Sequence, residues 1–212
     1  MTDSKYRQLN LSDLEAMTQV FAQSFEEDPL ISFILPNHKT RVHTVAKFFR
    51  AMGRIAIRNG LAFGVSNPLE GVAIWNFPDK PSNSATIKDF FHFMPLLFSS
   101  YPFGARKAKA VFKQIEANHN KFASEPHFYL DNLGVLKSAR GKGLSSKLIR
   151  PFLDMADEQK VITYTDTVTK SNVPLYEHFG FECVGESFIR GNGDYCVCFE
   201  KTDSITFATT QL

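Results

Sequence analysis

The stretch Tyr129–Phe152, YLDNLGVLKSARGKGLSSKLIRPF, limits what this chain can fold into more than any other. It opens as a strand, crosses a basic, glycine-containing turn and continues as a helix. Leu144, Leu148, Phe152 and Met155 recur at 3.6-residue spacing along that helix. A β-branched run, Val161–Val168, follows. Parallel strands need a connection of about a dozen residues or more, so this order predicts a right-handed βαβ crossover and a parallel pair. The helix start beside Arg140-Gly141-Lys142-Gly143 presents unpaired N–H donors and about half a positive charge, which makes it an anion site.

The flanking chain supplies the other elements. Tyr6–Leu11 reads as a strand, and Ser12-Asp13-Leu14-Glu15 as a capping box for a helix carrying Leu14, Met17, Phe21 and Phe25. Pro29 ends that helix, and a loop runs through Asn37. A second helix spans about 41–58 and stops at Gly60; Leu61–Val65 and Gly71–Phe77 then form an antiparallel pair. Residues from 85 to about 119 are helical in pieces. Arg106, Lys107, Lys109 and Lys113 on the last piece read as a solvated face. After the βαβ unit, Asn172–Phe179 is a short helix closed by Gly180. Phe181–Ser187 and Asp194–Lys201 make a closing hairpin around Gly191-Asn192-Gly193. No repeat or linker interrupts the pattern, so one domain is expected over residues 1–205, with a frayed tail at 206–212.

Composition narrows the class. A chain of 212 residues has length enough for one sizeable core, and a formal net charge of +2 is too small to argue for nucleic acid. No secretory signal pattern opens the chain. The most apolar window, Phe90–Phe103, is short and broken by polar residues and prolines, so no membrane span is expected. Three cysteines, Cys183, Cys196 and Cys198, are too few and too late for a disulfide framework; they fit a reducing, cytoplasmic setting. Cys196 and Cys198 alternate along a strand with no ligand cluster nearby in sequence, so packed thiols and no metal are expected.

Three anion sites compete for the 140–146 turn. A phosphate-binding loop of the Walker A type needs Ser or Thr after its lysine, and Lys142 is followed by Gly143. A dinucleotide fingerprint would read Gly141, Gly143 and then Ser146, with Asp166 downstream. Residues 136–139 separate the strand from the first glycine, and only one βαβ unit is evident. The third pattern is Leu133-Gly134-Val135 followed by Arg140-Gly141-Lys142-Gly143-Leu144-Ser145. It resembles the acyl-CoA site of the GCN5-related N-acetyltransferase (GNAT) superfamily, with Ser145 where Gly or Ala is usual. Asn172-Val173-Pro174-Leu175-Tyr176, with Gly180-Phe181 after it, is similar to the family's downstream helix, and the order of elements matches over about residues 4–201. Phe25–Pro29, Leu35-Pro36 and Tyr164–Asn172 look closest to the puromycin N-acetyltransferase-like branch.

The resemblance implies an α/β (α+β) domain with a central mixed sheet of six to seven strands, flanked by helices and holding a splayed parallel pair. It implies acetyl-CoA as co-substrate, no metal, and direct transfer of the acetyl group to a primary amine through a tetrahedral intermediate. Leu133, Gly134 and Val135 would meet the pantetheine arm. Arg140, Gly141, Lys142, Gly143, Leu144 and Ser145 would hold the pyrophosphate. Asn172 would contact the arm and Tyr176 would sit at the sulfur, donating to the departing thiolate. Asp131, expected on the same strand face as Leu133, and Asp166 are the candidate bases. Glu27, Asp28, Phe33 and Trp75 are expected at the acceptor, a small-molecule amine with an apolar body, within an aromatic wall that includes Phe77 and Phe90, Phe91, Phe93 and Phe98. Neither nucleic acid nor membrane is an expected partner, and the protein would be a monomer or homodimer. The other reading is a catalytically idle acyl-CoA-binding module of the same fold.

Overall fold

Seven strands form one mixed sheet in the computed structural model, which describes residues 6–79, 102–188 and 195–201. In chain order they are β1 (Arg7–Gln8), β2 (Ala62–Val65), β3 (Gly71–Asn76), β4 (His127–Val135), β5 (Ile162–Thr167), β6 (Glu182–Phe188) and β7 (Tyr195–Lys201). Their spatial order is β1-β2-β3-β4-β5-β7-β6, with every pair antiparallel except β4–β5. The helices among the described residues are α1 (Leu14–Ser24), α2 (Pro29–Ile34), α3 (His38–Arg58), α4 (Pro102–Phe122), α5 (Leu144–Gln159) and α6 (Val173–His178). As the sequence predicts, α5 is the crossover between the parallel strands. No described helix is long and apolar enough to cross a membrane.

The two faces of the sheet are covered differently. Met17, Phe21, Val45, Phe49, Ala108 and Val111 from α1, α3 and α4 make one core with Val72 and Ile74. On the other face, Leu148, Ile149 and Phe152 of α5 pack with Trp75, Phe128 and Leu130, and Tyr176 of α6 joins them. Alternation along β3 sends Val72 and Ile74 to one core and Ala73 and Trp75 to the other.

Three local expectations change. A 3-10 turn, Leu11–Asp13, leads into α1 and is capped by Asn10, two residues before Ser12. The Asn10 side chain accepts from Ser12 N–H, the Asp13 carboxylate accepts from Asn10 N–H, and Arg7 pairs with Asp13 at 2.7 Å. The expected loop after Pro29 contains α2, because Asp28 accepts from Ile31 N–H at 3.1 Å and proline is suited to the first helical position. Asn37 likewise caps α3 and starts it at His38. The expected wall residues Phe90, Phe91, Phe93 and Phe98, the turn at 191–193 and the tail lie outside the described residues.

Candidate functional site

The β4–α5 connection builds a backbone cradle. Lys137–Ala139 form one 3-10 turn, Arg140 is extended, and Gly141 and Gly143 take φ of 78° and 72°. A Cβ added at either glycine would meet nothing within 4 Å, so glycine is required by the left-handed backbone while the space in front stays open. Gly143 is the N-cap of α5, and no side chain caps that helix end. An absent cap costs about 1 kcal/mol. Burying Leu148, Ile149 and Phe152 contributes about 1.5–3 kcal/mol each, so packing holds the helix in place while its first N–H groups are left for a ligand. Arg140 is exposed, and Lys142 donates to Glu70 at 3.1 Å, which holds the Glu70 carboxyl below its usual range.

Beyond this cradle the sheet forks. The parallel pairing of β4 and β5 runs from His127↔Ile162 to Leu130↔Thr165 and stops, although both strands continue. Opposite the fork, β3 pairs Ile74 with Asn132 and Trp75 with Leu130, which leaves Asp131 as a bulge. Asp131 and Asp166 are therefore the first residues past the last parallel pair, one on each arm. The Thr165 hydroxyl donates to the Leu130 carbonyl at 3.0 Å, and Tyr176 shares a hydrogen bond with Thr165. Tyr176 is 7% exposed, and burial pushes its phenol up to about 12, so it is a proton donor at neutral pH. Asn172 donates to the Thr167 hydroxyl at 3.3 Å.

The bulge corrects one placement. Leu133 and Val135 pack into the α5-side core, whereas Asp131 interacts electrostatically with Asp166 and Tyr129 on the opposite face. An extra residue in a strand breaks the period of two, so counting two positions from Leu133 gives the wrong face for Asp131. Burial, then the Asp166 charge, pushes the Asp131 carboxyl up to about 7, against an opposing hydrogen bond from Asn76. Burial pushes Asp166 up to about 6, against the Tyr129 hydroxyl that donates to its Oδ1 at 2.8 Å. Gly134 stays on the α1 side, where a Cβ would come within 2.9 Å of the Phe21 ring.

The expected acceptor contacts separate. Trp75 is fully buried, stacks on Phe152 at 5.0 Å and donates its indole N–H to the Leu148 carbonyl at 3.0 Å; it is core and not a pocket wall. Phe77 packs edge-on against Phe128 on the same side. Phe33 packs on the α1/α3/α4 core with Lys107 Nζ 4.2 Å above its ring, so that ring is covered. Glu27 is exposed and pairs with Lys137 at the end of β4. Asp28 caps α2 with one oxygen and accepts from Thr169, just past β5, with the other at 3.3 Å. The α1–α2 connection thus reaches both arms of the fork.

Sequence reasoning missed Tyr129, Asn76, Thr165 and His119. Tyr129 and Thr165 occupy strand positions that read as ordinary β-formers, and His119 lies on a helix. His119 contacts Tyr129 edge-on at 4.6 Å, and its Nε2 lies 2.9 Å from that of His127. Burial, with His127 nearby, pushes it down to about 4. Among the described residues no group of three or more His, Cys, Asp or Glu is placed to hold a metal ion.

Residues 104–196 match the family model of the acetyltransferase (GNAT) domain. An uncharacterised N-acetyltransferase of Schizosaccharomyces pombe is 22% identical over 82% of this chain and 73% of its own. A Dictyostelium discoideum protein, a probable serine/threonine-protein kinase, is 25% identical over 82% of this chain, which spans only 20% of that relative's length. Among solved structures, a Corynebacterium glutamicum protein described as histone acetyltransferase HPA2 and related acetyltransferase superposes with TM-score 0.66 at 19% identity, covering 96% of this chain and 98% of its own. The Drosophila melanogaster polyamine N-acetyltransferase gives 0.63 at 13%, covering 94% and 100%. The chain has the GNAT fold as a single α/β unit, and the match to the acetyltransferase (GNAT) family model covers its 104–196 segment.

Proposed function

We propose that this protein is an acetyl-CoA-dependent N-acetyltransferase acting on a primary amine of a small molecule by direct attack. One observation carries the reading: the parallel strands part after Leu130 and Thr165, next to an uncapped helix start whose two left-handed glycines open onto empty space. A peptide-like arm can pair with a strand edge freed in this way, and a pyrophosphate suits the N–H groups of residues 143–146. Arg140 and Lys142 add charge, with Lys142 leaving Glu70 to do so.

Bound acetyl-CoA supplies a thioester acyl group. Backbone N–H near the Leu133–Val135 edge is the donor for charge developing on its carbonyl oxygen. Tyr176 stays protonated and donates to the leaving sulfur, while Asp131 or Asp166 takes the proton from the amine. The named neighbours that act on polyamines, agmatine and arylalkylamines support a small amine as acceptor. Phe25–Pro29 and Tyr164–Asn172 support a place near the puromycin N-acetyltransferase-like branch.

Isothermal titration with acetyl-CoA, then CoA release over agmatine, spermidine, tyramine and a peptide N-terminus, tests the reading. Expected are a single cofactor site and turnover with at least one amine. In Tyr176→Phe the rate falls about tenfold or more with cofactor affinity within about twofold. No binding of acetyl-CoA by intact protein sinks the proposal; binding without turnover on any amine supports the idle module instead.

A further inference from the structure

We propose that Tyr129 divides the labour of the two carboxylates at the fork: it holds Asp166 as a fixed anion and leaves Asp131 to accept the proton. The inference rests on the amine-acetylation reading for the source of that proton, and on geometry for the division itself. Tyr129 lies one residue before the last parallel pair, opposite Tyr164 in register. Its side chain crosses from β4 to β5 and donates to Asp166 Oδ1 at 2.8 Å. A phenol O–H bonded to a carboxylate oxygen favours the ionised carboxylate. Among the described residues, Asp131 receives a side-chain bond from Asn76 and none from a hydroxyl, and it sits in the bulge at the opening of the fork. Two carboxylates that repel one another share one proton near neutrality, and hydrogen bonding decides which of them carries it.

Among the described residues, the surroundings do not compete with this arrangement. The ring of Tyr129 is held by His119 from α4, edge-on at 4.6 Å, and by Tyr164 at 5.7 Å. His127 Nδ1 lies 2.6 Å from the Glu125 carbonyl, an acceptor only, so Nδ1 carries a hydrogen. His119 Nε2 lies 2.9 Å from His127 Nε2, so one of the two rings donates to the other. Tyr176 approaches Asp166 from the far side of the sheet as a neutral phenol. Met52 of α3 meets Asn132, and Phe21 and Ser24 of α1 meet Gly134, so those helices bring uncharged groups to this stretch of β4.

Carbon-13 NMR titration of the aspartate carboxyls in the intact apo protein tests the division, with resonances assigned through Asp131→Asn and Asp166→Asn. In the wild type the Asp131 midpoint lies above that of Asp166. Tyr129→Phe keeps the ring and removes the hydroxyl; it raises the Asp166 midpoint by about one pH unit or more and closes or inverts the gap. The acid limb of kcat/KM, measured with agmatine and tyramine, moves with the Asp131 midpoint. Asp166→Asn, which leaves Tyr129 in place, lowers the Asp131 midpoint and keeps the idea testable if Tyr129→Phe does not fold. Asp166 above Asp131 in the wild type, or an Asp166 midpoint unmoved in Tyr129→Phe, overturns the proposal. Absence of turnover on every amine overturns the acetylation reading alone, since the order of the two midpoints is read without substrate.

Discussion

The two faces of the sheet at the fork differ in how their chemistry is specified. On the α5 face, the glycine turn, the helix start and Tyr176 come from two short continuous segments, 140–145 and 172–176, each with its own local signature. On the α1/α3/α4 face, Asp131, Asp166, Tyr129 and His119 come from three separate elements. They meet only because a bulge turns Asp131 away from Leu133 and toward β5. Cofactor chemistry repeated across a fold can be written as a local motif, whereas acid–base chemistry fitted to one acceptor is assembled from side chains far apart in sequence.

Perturbing each face separately breaks or sharpens this contrast. The largest effect is expected from Gly143→Val, which puts a β-branched residue at a φ of 72° and displaces the start of α5. Acetyl-CoA affinity measured by calorimetry should fall about 100-fold with the circular dichroism spectrum retained. Unchanged affinity would mean the anion is held elsewhere.

Next is Asp131→Asn, which strikes the other face. Turnover at pH 7.5 should fall about 100-fold while cofactor binding holds, if the faces are separable. Stability gives a second reading. A carboxyl raised to about 7 in the folded state contributes stability that is fully present below the unfolded value near 4 and is lost as pH rises through 7. The wild type should therefore lose thermal stability between pH 5 and 8 from this group, and Asp131→Asn should lose less. Equal loss in melts of both proteins would show that Asp131 is not buried as an acid. His119, pushed down to about 4, works the opposite way and destabilises on acidification below its ordinary value near 6.5, but it is present in both proteins and cancels in the comparison.

The smallest effect concerns the connection that spans both arms. Asp28→Ala removes the cap of α2 and the bond from Thr169, costing about 1 kcal/mol and lowering Tm by about 2–4 °C. With the α1–α2 connection loosened, KM for the amine should rise a few-fold at constant kcat. A fall in kcat alone would instead place Asp28 among the groups that act in the transition state.

The amino-acid sequence by itself determined the βαβ unit, the basic, glycine-containing turn and the Asn172/Tyr176 helix. Each depends on neighbours within about twenty residues, where periodicity and turn chemistry are decisive. It also marked Asp131 and Asp166 as candidates, but not their shared face. It misassigned Trp75, because an aromatic ring in a strand reads the same whether it lines a pocket or stacks beneath a helix. Only the tertiary structure decided these matters. The single unpaired residue at Asp131 reverses the alternation of β4, and the end of pairing at Leu130 and Thr165 opens the fork. Neither leaves a mark in local propensity, because both arise from how β3, β4 and β5 must register against two different cores.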